Sequence, residues 1–374
     1  MPSYINCHAH TFNARHVPEY FLSFRVSNKP EASFLGRLFR TPVVGGLVLK
    51  MLNMSANGKK YANFLRIGEM KTQDVIFEDI KSKYPAGTRI VVLPLNFQFM
   101  GAGKLNIPYT QQLAELKEVK MKYPDECLPF VFIDPRMGTA EQNMDFVKSY
   151  IDQGFSGIKM YPSLGYYPFD SRLELMYEYA QEKGIPILTH CSRGGIYYVG
   201  NDVPDEFQNP QSFNPPANLP TPRFTFKKPM EDFKNNFIDP ESYYEVLLKF
   251  PKLKMCFAHF GVDDDKPYPD SSTTPDDNWY EKIVNLMDEY ENVYTDISYS
   301  LTQDKFMAGF VNDYKMKFSD KVKNKILYGT DYFMIEQEDH CTEDWLFNNV
   351  KTLLGQEAMD KLAYTNVEDF LMQA

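Results

Sequence analysis

Short apolar runs alternate with longer amphipathic stretches along almost the whole chain. Each run is rich in Val, Ile, Leu, Phe or Tyr and is bounded by turn residues, which is typical of strands buried on both faces. The pattern predicts strands at Tyr4–His8, Arg89–Asn96, Leu128–Asp134, Gly157–Tyr161, Pro186–His190, Lys254–His259, Val293–Ser298 and Lys325–Gly329.

The stretches between these strands predict helices with one apolar face. Ala140–Gln153 follows Thr139, which can serve as an N-cap, and Ser171–Lys183 ends before Gly184, a residue suited to the left-handed helix end. The other predicted helices are Tyr109–Tyr123, Glu241–Phe250, Trp279–Tyr290, Lys305–Phe318 and a final set between Thr342 and Met372.

Strands that are each followed by a helical region predict an α/β fold, and this number of them fits a (β/α)₈ TIM barrel. A doubly wound open sheet is the alternative. No glycine-rich phosphate loop follows the first strand, which weakens the nucleotide-binding version of that alternative.

Two long segments interrupt the regular spacing. Residues 13–80 follow strand one and contain an apolar patch that we interpret as a helix covering the barrel mouth, and the proline-rich residues 196–238 follow strand five as a predicted lid. Both are interpreted as insertions over the barrel mouth. Residues 1–374 are therefore predicted to form a single domain.

Composition excludes several classes of protein. Of the 374 residues, 43% are hydrophobic and 15% aromatic, enough for a large core, so a wholly disordered chain is excluded. No apolar run approaches the ~20 residues of a membrane span, and the first residues lack the pattern of a secretory signal. A net charge of −10 argues against a nucleic-acid partner.

Five scattered cysteines fit free thiols in a reducing compartment better than a disulfide framework, so we predict a cytoplasmic protein. The expected partner is a small-molecule substrate, with neither nucleic acid nor membrane, and the chain could also form a homo-oligomer.

Histidine is scarce, with six in the chain, but four of the six fall at predicted strand ends. His8 and His10 close strand one and share a face because strand side chains alternate. His190 closes strand five, His259 closes strand six, and Asp331 follows strand eight. Barrel active sites lie at the carboxyl ends of the strands, so these residues predict a metal-binding active site.

The ordered motifs resemble those of the amidohydrolase superfamily, in the branch that includes aminocarboxymuconate-semialdehyde decarboxylase-like proteins. The resemblance covers almost the whole chain. It rests on His8-x-His10, Gly157-Ile-Lys-Met-Tyr-Pro162, Thr189-His-Cys191, Ala258-His-Phe-Gly261 and Tyr328-Gly-Thr-Asp331.

The resemblance implies a role for each of these residues. It implies that His8, His10, His190 and Asp331 bind a divalent metal, and that His259 is a further ligand or an acid/base. In some superfamily members the lysine of strand four is carbamylated and bridges two metals, which would make Lys159 a ligand and raise the metal count from one to two. The alternative for Lys159 is a pairing with Asp331 or with a substrate anion.

The expected cofactor is zinc, with manganese, iron and cobalt compatible with the same ligand types. Such a cation would activate water for attack on a carbonyl centre, with Asp331 or His259 moving the proton. Asp296, on strand seven, is expected to contact a ligand histidine. Arg193, Arg136 and Tyr161 are candidates for binding the substrate.

The sequence thus predicts a metal-dependent hydrolase acting on an amide, lactone or similar carbonyl of a small substrate. One alternative is a nonoxidative decarboxylase using the same site, and another is a catalytically inactive barrel used for binding.

Overall fold

The computed structural model describes residues 4–21, 72–200, 204–208, 234–262, 268–269, 273–274, 278–332, 334–335, 338 and 341–373. An eight-stranded sheet runs in chain order, and its paired strands are parallel. The strands are β1 (Ile5–Ala9), β2 (Arg89–Val92), β3 (Cys127–Phe132), β4 (Gly157–Met160), β5 (Ile187–Thr189), β6 (Met255–Phe257), β7 (Val293–Asp296) and β8 (Ile326–Leu327). The (β/α)₈ prediction is confirmed, and the doubly wound alternative, whose strand order reverses part-way, is wrong.

Helices follow the strands along the outside of the barrel. The α-helices of the described residues are α1 (Gln73–Lys81), α2 (Tyr109–Lys122), α3 (Ala140–Ile151), α4 (Glu174–Lys183), α5 (Asp205–Gln208), α6 (Asn235–Ile238), α7 (Tyr244–Lys249), α8 (Trp279–Glu289), α9 (Asp304–Met316), α10 (Asp320–Lys323), α11 (Glu343–Leu354), α12 (Gln356–Asp360) and α13 (Asn366–Leu371). The helices predicted between the strands and after the last strand are present, with their ends shifted by a few residues.

The first and last strands meet at a junction that we call the seam, formed by residues 7–10 against residues 328–332. Backbone hydrogen bonds cross it from Cys7 N to Tyr328 O (2.9 Å), from Asp331 N to His8 O (2.8 Å) and from His10 N to Tyr332 O (2.6 Å). These bonds bring the first and last strands of the barrel together.

An irregularity in β1 decides which side chains face the barrel interior. The register against β2 shifts between Asn6 and Ala9. Cys7 belongs to the same buried cluster as Ile5, and His8 points to the active site beside it, so two successive side chains face inward. Such a bulge re-aims the side chains that follow it.

The barrel interior below the active site is apolar. Val91, Phe130, Leu188 and Cys256 pack there from different strands, with Phe370 of α13 against them. The Phe370 ring lies 5.1 Å from the ring of Tyr294, measured between centroids. Helix α13 therefore closes the end of the barrel opposite the catalytic end.

Helix α3 begins with the N-cap predicted from sequence. The Thr139 hydroxyl accepts a hydrogen bond from Gln142 N, and the Gln142 side chain accepts one from Thr139 N (2.9 Å), which together form a capping box. We expect Thr139→Ala to lower the free energy of unfolding by about 1 kcal/mol, because a backbone donor loses its partner. Urea denaturation measures this. Thr139→Ser should retain most of the stability, and equal losses in the two variants would contradict the capping role.

The two predicted insertions are only partly described. Helix α1 (Gln73–Lys81) overlaps the end of the predicted 13–80 segment and packs against α2. The apolar patch predicted as a helix and most of 196–238 lie outside the described residues. Within the part of the chain that is described, no helix has the length and apolar character needed to cross a bilayer. The single-domain prediction for residues 1–374 stays a prediction.

Candidate active site

A cavity opens at the carboxyl ends of the strands, with about 630 Å³ of empty space when the open solvent at its mouth is included. Four of the residues predicted from sequence as ligands or catalytic groups line it, namely His10, His190, His259 and Asp331. The predicted substrate-binding residue Tyr161 lines it as well. Its other walls are formed by Phe12, Leu95, Ser192, Gly194, Gly195, Ile196, Tyr299 and Met334.

The four strand-end histidines form a continuous row of rings. The ring centroids are separated by 5.2 Å between His10 and His8, 4.9 Å between His8 and His259, and 4.9 Å between His259 and His190. All four side chains are buried or nearly so. Residues from strands one, five and six therefore meet at one place, as the sequence predicted.

Each of these imidazoles uses one nitrogen to contact a group that can only accept a hydrogen bond. His8 Nδ1 donates to the Asp296 carboxylate (2.8 Å), and His10 Nδ1 donates to the carbonyl of Leu93 (2.7 Å). A neutral imidazole carries one proton, so the Nε2 atom of each ring is left as an acceptor.

The same reasoning applies to the other two rings. His190 Nε2 donates to the carbonyl of Gly194 (3.2 Å), and His259 Nδ1 donates to the carbonyl of Ser298 (3.1 Å). His190 Nδ1 and His259 Nε2 then face each other as acceptors at 3.1 Å. Donation of the second ring nitrogen to a carboxylate or carbonyl is the usual arrangement of metal-binding histidines.

Asp331 adds a carboxylate to the acceptors of His8 and His10. Its Oδ1 lies 3.2 Å from His10 Nε2 and 3.7 Å from His8 Nε2, and the three ligand atoms lie within 4.8 Å of one another. A proton could bridge His10 and Asp331, but His8 Nε2 would still be buried without a hydrogen-bond partner. A single cation would satisfy all three atoms, so this donor set fits a divalent metal.

Asp296 contacts two of the four histidines, His8 and His259. The sequence predicted a contact between Asp296 and a histidine. Beyond His8 Nδ1, its carboxylate accepts hydrogen bonds from His259 N (2.9 Å), Ser298 N (3.0 Å) and the Ser298 hydroxyl. His8, His259 and Asp296 could also be arranged around an ion by distance alone. Hydrogen bonds already satisfy the Asp296 carboxylate and the Nδ1 atoms of His8 and His259. We therefore assign Asp296 the role of orienting these histidines.

The charges of the site keep the acidic groups ionised and His8 neutral. Burial alone would raise the pKa of the Asp331 carboxyl, but the neighbouring imidazoles of His10 and His8 outweigh it and hold that pKa well below its usual range. Burial, reinforced by the charge of Lys159, lowers the pKa of His8 to about 3. A neutral imidazole beside an ionised carboxylate is the state in which both bind metals.

Two site residues have unusual backbone conformations. His259 has φ 64° and Asp331 has φ 62°, values in the left-handed region that non-glycine residues rarely adopt. Both residues lie in the segments that follow a strand, β6 for His259 and β8 for Asp331, and both side chains line the cavity. Such conformations persist where the surrounding structure determines them, and they cluster at functional sites.

Lys159 points into the barrel, as strand alternation predicted. It pairs in register with Leu188 of the inner cluster and is fully buried. Its Nζ atom has no hydrogen-bond partner, and burial lowers the pKa of the amine to about 8. The predicted ion pair with Asp331 is not among the contacts of the described residues. A role as metal ligand stays a prediction.

The two predicted substrate-binding arginines lie outside the cavity lining that the structure describes. Arg136 donates to both carboxylate oxygens of Asp134 (2.8 and 2.6 Å) and to the carbonyl of Leu164 (3.0 Å). The Arg193 guanidinium lies over the ring of Trp279, 4.5 Å from its centroid. Both contacts hold loops at the barrel mouth.

We expect Arg136→Ala to act on stability rather than on substrate binding. Removing the guanidinium leaves the buried Asp134 carboxylate without its bidentate partner, which should cost on the order of 3 kcal/mol of unfolding free energy. Denaturation measures the loss, and steady-state kinetics should give an unchanged KM. A raised KM with unaltered stability would instead support the substrate-binding role.

Comparison with a family model decides the relationship of the chain to known proteins. Residues 87–371 match the model described as Amidohydrolase. The chain belongs to the amidohydrolase family. This agrees with the resemblance seen in the motifs, although His8 and His10 precede the matched segment. No curated protein matches the sequence of this amidohydrolase.

Solved structures share the fold of this amidohydrolase at low identity. One is a 5-carboxyvanillate decarboxylase from Novosphingobium aromaticivorans complexed with manganese and 4-hydroxy-3-methoxy-5-nitrobenzoic acid (TM-score 0.57, 13% identity, 98% of this chain and 96% of that one). Another is a probable 2-pyrone-4,6-dicarboxylic acid hydrolase from Acinetobacter baumannii with citric acid bound (0.54, 13%, 99% and 99%). A third is an uncharacterised TIM-barrel protein from Bordetella bronchiseptica (0.51, 19%, 79% and 82%).

Sequence reasoning missed several residues of the amidohydrolase site. Ser298, whose hydroxyl lies 3.1 Å from His8 Nδ1 and 3.0 Å from His259 Nδ1, links the two rings. Its position two residues after Asp296 was a usable signal, since alternation places both on one face. Phe12, Tyr299 and Met334 come from loops, where periodicity gives no information about direction.

Proposed function

We propose that this amidohydrolase is a metal-dependent hydrolase that acts on a carbonyl centre of a small substrate. The observation that carries the proposal is the convergence of unprotonated nitrogens and a carboxylate oxygen at the cavity. Acceptor-only partners hold one nitrogen of each ring, and the other nitrogens of His8 and His10 lie with a carboxylate oxygen of Asp331 within 4.8 Å of one another.

The proposed ligands are His8, His10, His190 and Asp331, with His259 as a further ligand or an acid/base. Three imidazoles and one carboxylate suit zinc, and manganese, iron and cobalt remain compatible. When bound, such a cation lowers the pKa of a coordinated water toward neutrality and polarises a carbonyl.

Two residues of the chain can move protons in the proposed reaction. Asp331 accepts the proton of the attacking water at a carboxylate oxygen, for which its lowered pKa keeps it ionised. The same residue can then return that proton to the leaving group. His259, which lies in the cavity wall with Nε2 directed inward, is the alternative residue for taking up and returning the proton. Asp296 and Ser298 fix the His259 backbone and ring while this occurs.

Tyr161 supports the site through His190. The two rings are stacked, with centroids 4.1 Å apart and planes 11° from parallel. The Tyr161 hydroxyl accepts a hydrogen bond from Ile196 N (3.1 Å), which ties the start of the strand-five loop to the stack. We propose that Tyr161 holds His190 in its orientation and presents the edge of its ring to the substrate.

A nonoxidative decarboxylase is the second candidate, favoured by the apolar residues among those that line the cavity. Phe12, Leu95, Ile196 and Met334 would surround the body of an apolar acid and exclude water from its carboxylate. In this reaction the carbon–carboxylate bond breaks, carbon dioxide leaves, and His259 or Asp331 donates a proton to the carbanion.

Product analysis in isotopically labelled water separates these candidates. We would screen lactones, amides and aromatic carboxylic acids with protein expressed without chelators, and measure its metal content by mass spectrometry. Incorporation of ¹⁸O from water into the product supports hydrolysis. Carbon dioxide release without ¹⁸O incorporation supports the decarboxylase, and the absence of stoichiometric divalent metal supports an inactive binding barrel.

A further inference from the structure

A closed ring of hydrogen bonds lies behind the active site, on the outer side of the seam. We call it the buried ring, formed by Asn6, Thr330, Glu343 and Tyr84. The Asn6 amide donates to Thr330 Oγ1 (2.8 Å) and to the Tyr84 hydroxyl (3.0 Å). Thr330 Oγ1 donates to Glu343 Oε1 (2.7 Å), and the Tyr84 hydroxyl donates to Glu343 Oε2.

The ring is buried, and its hydrogen bonds run from the Asn6 amide through the two hydroxyls to the Glu343 carboxylate. Asn6, Thr330 and Glu343 are at most 1% exposed, and Tyr84 is 8% exposed. Both amide hydrogens of Asn6 are used, and each hydroxyl receives one hydrogen bond and donates one to the carboxylate. Both hydroxyls donate to Glu343, so its two carboxylate oxygens must both be acceptors, which is the ionised form. The charge-assisted hydrogen bonds offset the free-energy cost of burying that charge.

The ring connects directly to the backbone of two proposed metal ligands. Asn6 Oδ1 accepts a hydrogen bond from His8 N (3.0 Å), at the irregularity of β1 that directs His8 inward. On the opposite strand Thr330 precedes Asp331, and the Thr330 and Asp331 amides both donate to His8 O (3.4 and 2.8 Å). Glu343 therefore contacts Thr330, the neighbour of Asp331, directly, and it reaches Asn6, the partner of the His8 amide, through the hydroxyls of Thr330 and Tyr84.

We propose that Glu343 is a positioning residue for the metal centre, acting through Thr330 and Asn6 on the spacing of Asp331 and His8. This rests on the proposed function, since it requires that these residues bind a metal. Glu343 begins α11, so the proposal also links the first turn of an outer helix to the geometry of the cavity. None of the four ring residues is among those that line the cavity.

The substitution Glu343→Gln tests this with little change in shape. Glutamine offers one acceptor and one donor, so one of the two hydroxyls would face a donor and the cycle would break. We expect the affinity for cobalt(II) to fall by roughly 10- to 100-fold, the usual effect of losing a partner behind a metal site. The visible absorption of bound cobalt(II), which reports ligand geometry, should change as well.

Two further variants separate positioning from general stability. Thr342→Ala removes the N-cap of the same helix, where the Thr342 hydroxyl accepts from Trp345 N, without touching the ring. It should lower stability while leaving cobalt(II) affinity and absorption as in the unsubstituted protein. Tyr84→Phe removes one hydroxyl of the ring and should weaken cobalt(II) binding in the same direction, which supplies the test if Glu343→Gln does not fold.

The outcomes distinguish this proposal from the proposed function. Unaltered cobalt(II) affinity and absorption in the Glu343 and Tyr84 variants would overturn the positioning role alone. An equal weakening in Thr342→Ala would overturn it too, because helix stability would then explain the effect. Failure of the unsubstituted protein to bind cobalt(II) would overturn the proposed function and this proposal together.

Discussion

Asp331→Asn is expected to lower kcat/KM by a factor on the order of 10³, because the variant loses both the proton acceptor and a charged ligand. Asparagine is the appropriate replacement, since it tolerates the left-handed backbone of this position (φ 62°) better than alanine does. The amide oxygen could still contact a metal, so the metal content should fall less than the activity does. Steady-state kinetics and metal analysis of the same preparation measure both quantities.

The surface carboxylate of Asp152 provides the control for this substitution. Its side chain is 58% exposed and pairs with Lys148 at the end of α3. Asp152 is not among the residues that line the cavity. Asp152→Asn should therefore retain full activity. An Asp331→Asn enzyme that keeps kcat/KM within a few-fold of the unsubstituted protein would remove Asp331 from the mechanism.

Asp296→Asn is expected to weaken metal binding by roughly 10- to 100-fold, although Asp296 would not itself touch the metal. The backbone amides of His259 and Ser298 both donate to Oδ1, which fixes the amide oxygen there and places the new NH₂ group at Oδ2. That NH₂ faces His8 Nδ1, so His8 must become an acceptor at Nδ1 and carry its proton on Nε2. The nitrogen directed at Asp331 would then be unable to bind a cation.

A second buried carboxylate controls for the cost of removing a charge from the interior. Asp134 is fully buried and pairs with Arg136 away from the histidines. Asp134→Asn should lower thermal stability but leave metal affinity unaltered. Nuclear magnetic resonance of the imidazole nitrogens would show the proton of His8 directly, and a proton that stays on Nδ1 in Asp296→Asn would contradict the argument.

Much of the fold was predictable because buried strands and amphipathic helices leave periodic patterns. The eight strands, the capping of α3 by Thr139 and the end of α4 at Gly184 followed from such local signals. Helix α1 was not predicted, because it follows a long segment without recognisable period. Helix α1 packs on α2 through tertiary contacts that no local pattern records.

The site was predictable as far as each strand end could be located. His190, His259 and Asp331 were placed together because parallel strands of a barrel bring their carboxyl ends to one rim. Strand alternation also predicted that His8 and His10 share a face. Alternation alone would turn Cys7 outward, but Cys7 faces the barrel interior as well, because the register of β1 shifts between Asn6 and Ala9. A bulge depends on the partner strand and cannot be seen in one strand alone.

The role of charged residues was less predictable, because a side chain with many donors finds partners that are distant in sequence. Arg136 was a candidate for substrate binding, yet the carboxylate two residues before it and a carbonyl of the next loop use its guanidinium. Glu343 gave no sequence signal at all. Its partners are Thr330, in the segment that follows β8, and Tyr84, which lies 259 residues earlier in the chain.

The seam has a consequence for how the protein is made. Asn6 and Thr330 are 324 positions apart, and His8 meets Asp331 only when the last strand has joined the first. A chain still emerging from the ribosome can hold several barrel strands but lacks Asp331 until all eight strands have been synthesised. The proposed metal-binding groups therefore come together only at this stage, and a nascent chain without β8 lacks the complete proposed site.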